Sequence, residues 1–296
     1  MMDSGNQLIW KMMDPEEKIG MHGKKYTSVN NLFSFFGGLI LTLVFYGILF
    51  PFHLTGEYPM VDMFFHGGHE NRSVIPYFTI LLACWSLAFL YIKWRKLKVQ
   101  RKALNYQLIP EHSDFVISPA NVQEILDRMH NEVLFTYNFM LLWRIDCALS
   151  NLRNIGRVAD VSSFLSDLAK TDSSFVENSY TLPKGLIWAI PVLGFIGTVL
   201  GLAQAVGGFG AVVAQGADLE GLKNALGGVT GGLSTAFETT LIALVAALLI
   251  QLLMTFLIQK EEAFLDEAEQ FCHKNITSKL KMINVDAHYT QEDSEE

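Results

Sequence analysis

Four long stretches of the chain are almost free of charged side chains. They cover residues 26–55, 73–92, 185–217 and 224–259, and Glu238 is the only Asp, Glu, Lys or Arg within them. About 20 apolar residues are enough to cross a bilayer as a helix. The pattern therefore predicts four transmembrane helices.

A further helical region is predicted between the second and third spans. Ser118-Pro119 is a typical helix start, with serine as N-cap and proline at the first helical position. Apolar residues then recur at helical spacing as far as Leu149, and a second helix is expected over 156–170. After the fourth span, an apolar stripe from Phe264 to Leu280 opposite acidic residues predicts an amphipathic continuation of that span. No strand pattern is present, so the predicted fold class is all-α.

The lysines and arginines indicate which side of the membrane each segment occupies. Of the 22 present, only Arg72 and Lys223 lie in the loops after the first and third spans. Positive residues accumulate on the cytoplasmic side. We therefore expect cytoplasmic termini and five segments: an N-terminal tail (1–31), spans one and two with a short outer loop (32–95), a cytoplasmic helical segment (96–185), spans three and four (186–258), and an amphipathic helix with an acidic disordered tail (259–296).

Composition excludes several functional classes. Charged residues make up 18% of the chain, against about 25% in soluble domains. The three cysteines are far apart and form no CxxC pair, which argues against a disulfide framework or a zinc knuckle. The net charge of −8 argues against nucleic acid as a partner. The partner that composition does predict is the lipid bilayer.

The last two spans differ in character from the first two. Spans one and two are bulky and aromatic, which suits contact with lipid. Spans three and four are rich in glycine, alanine, serine and threonine, and small residues let membrane helices approach closely. We therefore expect two spans to face lipid and two to pack against protein.

Glu238 is the residue that most favours a transport function. A charge at mid-bilayer costs about 2.5–3.5 kcal/mol on the insertion scale, and intramembrane acids commonly mark ion pathways. The alternative is that Glu238 lies near the outer end of its span, where interfacial water reaches it. At about 100° per residue, Thr235 and Thr239 share a sector with Glu238, whereas Thr240 points about 200° away. These threonines could also simply bond a backbone carbonyl one turn earlier.

The motifs of spans three and four resemble those of the MotA/TolQ/ExbB proton-channel family, and the span count resembles its flagellar-stator branch. Pro191-Val-Leu-Gly194 with Val199-Leu200-Gly201 is similar to a Pro-x-Leu-Gly and later Val-Leu-Gly pattern. Gly194-Phe-Ile-Gly197-Thr198-Val-Leu-Gly201 and the run from Thr239 to Ala247 are similar to motifs of the ExbB/TolQ branch.

The resemblance implies the pore-forming subunit of a proton-driven, alternatively sodium-driven, rotary motor in a bacterial inner membrane. Five copies would surround a dimer of a single-span, Asp-bearing partner similar to MotB, ExbD or TolR. Thr198 and Thr240 would line the pore, with Thr235, Glu238 and Thr239 as further pathway candidates. Pro191, Gly194, Gly197 and Gly201 would shape and pack span three. The only cofactor would be the translocated H⁺ or Na⁺. The acid of the ExbB branch falls at Thr235, one turn before Glu238, and the last span lacks the proline that many members carry.

Other features of the sequence raise alternative functions. A non-conducting oligomeric scaffold would explain the small residues but not an acid inside the membrane. His66, His69 and Glu70 could ligate a metal, although a solvated loop is the simpler interpretation. The glycine clusters at 207–210 and 227–232 are more typical of flexible outer linkers than of phosphate cradles. No nucleophile with a positioned base is evident, so we expect no enzymatic activity.

Overall fold

The computed structural model describes residues 14, 16–20, 25–65, 74–105, 116–118, 121–133, 136–155, 158–214, 216 and 218–280. Its helices are α1 (Asn31–Thr55), α2 (Pro59–Asp62), α3 (Ile75–Lys102), α4 (Val122–Glu132), α5 (Met140–Ile155), α6 (Val158–Ser179), α7 (Thr181–Ala214) and α8 (Leu219–Asn275). Short 3₁₀ turns lie at Glu17–Ile19, Ala103–Asn105, Thr136–Asn138 and Thr277–Lys279. Within the described ranges the extended pairing is a single isolated bridge between Ile117 and Leu280. The predicted all-α fold is confirmed.

Four of these helices, α1, α3, α7 and α8, are long and apolar enough to cross a membrane. They coincide with the four charge-poor stretches. The chain divides into two compact units. The membrane unit comprises Val29–Lys93 and Tyr180–Ile258, and the charged unit comprises Met1–Ser28, Trp94–Ser179 and Gln259–Glu296.

The glycine clusters were predicted wrongly as linkers, because both lie inside helices. Residues 207–210 belong to α7, residues 227–232 belong to α8, and the connection is reduced to 215–218. Inside a bilayer the backbone must bond to itself, so glycines there remain helical. Among the described residues of this connection, Gly216 has a positive φ of 69°. Asp218 then starts α8 by accepting the amide proton of Gly221 at 2.9 Å.

The predicted division between lipid-facing and packed spans is only partly right. In α1 just 17% of the most apolar window is buried, as expected for a lipid-facing helix. In α3 the buried share is 56%, higher than the 33% of α7 and of α8. Aromatic content therefore did not reveal α3 as the most enclosed span.

Close packing of α1 against α3 depends on Gly38. A Cβ on Gly38 would lie 2.5 Å from Cα and 2.8 Å from the amide nitrogen of Trp85. The indole of Trp85 donates a hydrogen bond to Ser34 Oγ at 3.1 Å and meets Phe35 edge-on, with ring centroids 5.1 Å apart. The two helices are thus held at a separation that only glycine permits.

We predict that Gly38→Ala lowers the melting temperature of the purified protein, because a backbone cannot move aside as a side chain can. Overpacking of this kind costs about 1–3 kcal/mol. The matched control is Gly47→Ala in the same helix, since a Cβ there has nothing within 4 Å. Thermal unfolding followed by tryptophan fluorescence provides the measurement. Equal melting temperatures for the two variants would contradict this packing.

The charged unit has its own apolar core. The core is formed by residues of α4, α5 and α6 with the distal part of α8, including Leu126, Ile145, Val161, Ala268 and Cys272. The predicted extension of the fourth span is confirmed, since α8 runs to Asn275. The last residues, 281–296, expected to be disordered, lie outside the described part.

Helix boundaries in this region differ from the predicted ones. The first helix begins at Val122 rather than at Ser118-Pro119, because the side chain of Asn121 folds back to the amide of Ser118 at 2.8 Å. The chain then breaks at a 3₁₀ turn, Thr136–Asn138, instead of continuing to Leu149 as one helix. The following helix, α6, extends to Ser179 rather than ending near 170.

Buried ionic and polar contacts tie the segments of the charged unit together. Lys96 is fully buried and lies 2.7 Å from Glu16 and 3.6 Å from Asp14, while Thr27 donates to Glu261. Arg144 Nε bonds Asp172 at 2.6 Å. Burial raises the pKa of Asp14 and of Asp172, against the opposing effect of their cationic partners. These ion pairs are therefore sensitive to loss of either partner.

Candidate ion pathway

The α7–α8 hairpin of the membrane unit contains all the predicted site residues outside the first loop. Its interface is a row of small residues in antiparallel register. A Cβ on Gly194 would lie 2.6 Å from the Cβ of Ala243, and one on Gly232 would lie 2.8 Å from the Cβ of Ala205. The two backbones approach so closely that no larger residue fits at these positions.

Gly197 and Gly201 complete this row between its two ends. A Cβ on Gly197 would lie 2.5 Å from Thr239 Oγ1, and one on Gly201 would lie 3.2 Å from the Cβ of Ala236. The predicted packing role of Gly194, Gly197 and Gly201 therefore has a concrete basis in this structure. Pro191 lies inside α7, just before the row begins.

The four threonines differ in their surroundings. Thr239 is 2% exposed and covers Gly197, so within the protomer its side chain belongs to the helix interface rather than to a free surface. Thr240 donates across the hairpin to the carbonyl of Gly194 at 3.0 Å. Thr198 and Thr235 are partly exposed and donate within their own helices, to Phe195 O at 2.6 Å and to Gly231 O at 3.1 Å.

These hydrogen bonds determine whether each threonine hydroxyl can act as a donor or as an acceptor toward an ion. Each hydroxyl has one proton and two lone pairs. In Thr198, Thr235 and Thr240 the proton is given to a backbone carbonyl, so the oxygen is left as an acceptor. Acceptor oxygens suit a cation or a hydronium ion and do not suit an anion.

Glu238 is partly exposed and has one hydrogen-bond partner among the described contacts. Ser234, one turn earlier on α8, donates from Oγ to Glu238 Oε1 at 3.2 Å. Ser234 is not among the predicted site residues, although its position four residues before the acid places the two side chains on the same face of the helix. Helical geometry places Glu238 about 200° from Thr240, so the acid and the Gly194-bonded threonine lie on different sides of α8.

A cavity of about 420 Å³ opens where α7 and α8 approach their connecting turn. Its polar lining groups are Gln204 and Asn224, and glycines 208 and 228 leave the space open. Neither amide was predicted as a site residue. Their presence in a stretch of small and apolar residues is the sequence signal that could have identified them.

The predicted metal alternative is not tested by this structure. His66, His69 and Glu70 lie outside the described part of the chain. In the described ranges, no group of three His, Cys, Asp or Glu residues is arranged to hold a metal ion. His53, which lies in α1, instead bonds Asp62 at 2.7 Å and stacks on Phe65.

The four candidate spans indicate a multi-pass membrane protein, and the last two of them pack against each other through small residues. Residues 157–270, which contain α7 and most of α8, match the sequence model of the MotA/TolQ/ExbB proton channel family. The chain is similar to this family over that segment, and its four candidate spans fit the four-span type. No curated protein and no solved structure matched the chain.

Proposed function

We propose that the chain is the pore-forming subunit of a proton-driven motor, with sodium as the alternative ion. Together with a single-span partner that carries an Asp in its span, it would convert ion-motive force into mechanical work. The observation that carries the proposal is Glu238 on α8, inside the segment that matches a proton-channel family. As a transport subunit it would catalyse no covalent chemistry and would need no cofactor besides the translocated ion.

Association with further chains is supported by the exposure of the hairpin. Only 33% of the most apolar window of α7 and of α8 is buried within the protomer. Trp188 and Phe195 on α7, for instance, are 73% and 67% exposed. These surfaces suit packing against neighbouring subunits, and the family resemblance supports five copies around two copies of the partner.

The proposed location is a bacterial inner membrane, with both termini in the cytoplasm. The support for this orientation is the distribution of lysine and arginine between the loops. The charged unit would then lie on the cytoplasmic side and the 215–218 turn on the outer side.

The competing function is a non-conducting scaffold. Close packing at Gly194 and Gly197 fits both functions, because any oligomer of membrane helices benefits from it. The hydrogen-bonded pair of Ser234 and Glu238 favours conduction, because a scaffold gains no stability from placing a carboxyl group within a bilayer.

Native mass spectrometry of the complex, released gently from its own membrane, tests the proposal. We expect five copies of this chain with two copies of a single-span protein. A monomer, a dimer, or a pentamer without such a partner would contradict the motor and favour the scaffold.

We predict that Thr198→Val reduces ion flux at least about fivefold, since losing a hydrogen-bonding group in a buried path costs about 1–3 kcal/mol. Flux is measured in proteoliposomes that contain the purified complex and a pH-sensitive dye. The matched control is Thr79→Val on α3, where the hydroxyl likewise bonds a backbone carbonyl, that of Ile75 at 3.0 Å. Wild-type flux in Thr198→Val would remove Thr198 from the pathway.

A further inference from the structure

Six cationic residues follow the apolar part of α3. Three of them contact partners within the protein, and three are exposed. Lys93 and Lys96 are fully buried. The ammonium of Lys93 lies 4.4 Å from the ring centroid of Tyr180, and Lys96 pairs with Glu16 and Asp14. Arg101 reaches Glu267 at 3.3 Å. The charges of these three residues are therefore satisfied within the protein.

The other three cations, Arg95, Lys98 and Lys102, are exposed. At helical spacing they share one face with Trp94, since residues three and four apart are neighbours on a helix. The ammonium of Lys98 lies 3.6 Å from the ring centroid of Trp94. Among the described residues, none of these three cations has a carboxylate at ion-pairing distance.

Like charges at this spacing repel and destabilise a helix. Of the acidic residues in the described part of the chain, none lies at ion-pairing distance from these three cations, so an anion from outside the chain could pair with them. The face begins two residues after the charge-free stretch ends at Ile92, at the depth where phospholipid headgroups lie. Tryptophan is characteristic of that interfacial layer, and basic clusters next to a span attract anionic lipids.

We propose that Trp94, Arg95, Lys98 and Lys102 form a binding site for the phosphate headgroup of an anionic phospholipid. Lys98, placed over the Trp94 ring, is the central ligand to the headgroup. Arg95 and Lys102, one turn to either side, supply the remaining positive charge. The lipid neutralises a face that the described part of the protein leaves positive.

The test uses the full-length protein in detergent, stripped of lipid and titrated with dioleoylphosphatidylglycerol or dioleoylphosphatidylcholine under native mass spectrometry. We expect the wild type to bind phosphatidylglycerol more tightly than phosphatidylcholine. Each of Arg95→Gln, Lys98→Gln and Lys102→Gln should weaken phosphatidylglycerol binding about fivefold, the effect of one cation near a charged membrane surface. Because each variant changes one residue, five of the six cations remain to direct the insertion of the span into the membrane.

The control is Lys170→Gln, which removes an exposed cation from α6; its side chain is 76% exposed and its ammonium lies 3.2 Å from Asp167. Phosphatidylglycerol binding should be unchanged in this variant. Equal loss in Lys170→Gln and Lys98→Gln would overturn the site, as would equal binding of the two lipids by the wild type, a result that needs no variant. Full displacement of the lipid by millimolar inorganic phosphate would show that a simple anion suffices and would overturn the lipid assignment.

Discussion

Replacing Glu238 with glutamine should lower ion flux through the assembled complex by about two orders of magnitude. A charge inside a bilayer costs about 2.5–3.5 kcal/mol on the insertion scale. If Glu238 offsets a cost of this size for the passing ion, its loss corresponds to a factor of roughly 100 in flux. The uncharged amide retains the shape of the side chain and can still accept the hydrogen bond from Ser234. What the substitution removes is the ability to bind and release a proton or to attract a sodium ion.

Flux in this experiment is measured in proteoliposomes under an imposed pH or sodium gradient. Native mass spectrometry of the same preparation checks that the subunit composition is unchanged. The matched control is Glu220→Gln in the first turn of the same helix, where the carboxylate is exposed. Full flux in Glu238→Gln would show that Glu238 lies outside the ion pathway.

The second large effect is expected at the contact between Gly194 and Ala243. In Gly194→Ala the new methyl group would lie 2.6 Å from the Cβ of Ala243, and overpacking costs about 1–3 kcal/mol. The hairpin must open at this point, which also pulls the Gly194 carbonyl away from Thr240. We therefore expect Gly194→Ala to lower both the melting temperature and the ion flux.

A compensating substitution tests the register directly. Ala243→Gly removes the methyl group that Gly194→Ala would strike, so the double variant should regain most of the stability lost in the single variant. The conformational cost of glycine in a helix, about 0.5–1 kcal/mol, limits the recovery. Strict additivity of the two single effects would show that the residues do not touch.

The architecture was largely predictable because its main signal, the depletion of charge, is local in sequence. The four charge-poor stretches became α1, α3, α7 and α8. The glycine clusters were wrongly predicted to be linkers because glycine promotes turns in water. In a membrane the backbone must bond to itself, so a helix there tolerates glycine. The break in the helix at Thr136–Asn138 was also not predicted, because the apolar periodicity of the sequence continues through it.

The candidate site was predictable in composition but not in arrangement. Glu238 could be predicted from composition alone, because no other acidic residue lies in its charge-poor stretch, 224–259. Which side of α8 is covered by α7 depends on the pairing of Gly194 with Ala243, and this pairing is a property of two segments together. For that reason the sequence grouped Thr239 with Glu238, whereas the structure places Thr239 against Gly197 and leaves Glu238 partly exposed.

The position of Pro191 has a mechanical consequence. Proline donates no amide proton to the carbonyl one turn earlier and is a common point of bending in helices. The partner helix has no proline anywhere between Leu219 and Asn275. The hairpin thus joins a helix without proline to a helix that has a proline immediately before the glycine row. Force applied to the hairpin would bend α7 at Pro191 while the contacts from Gly194 onward move as one piece.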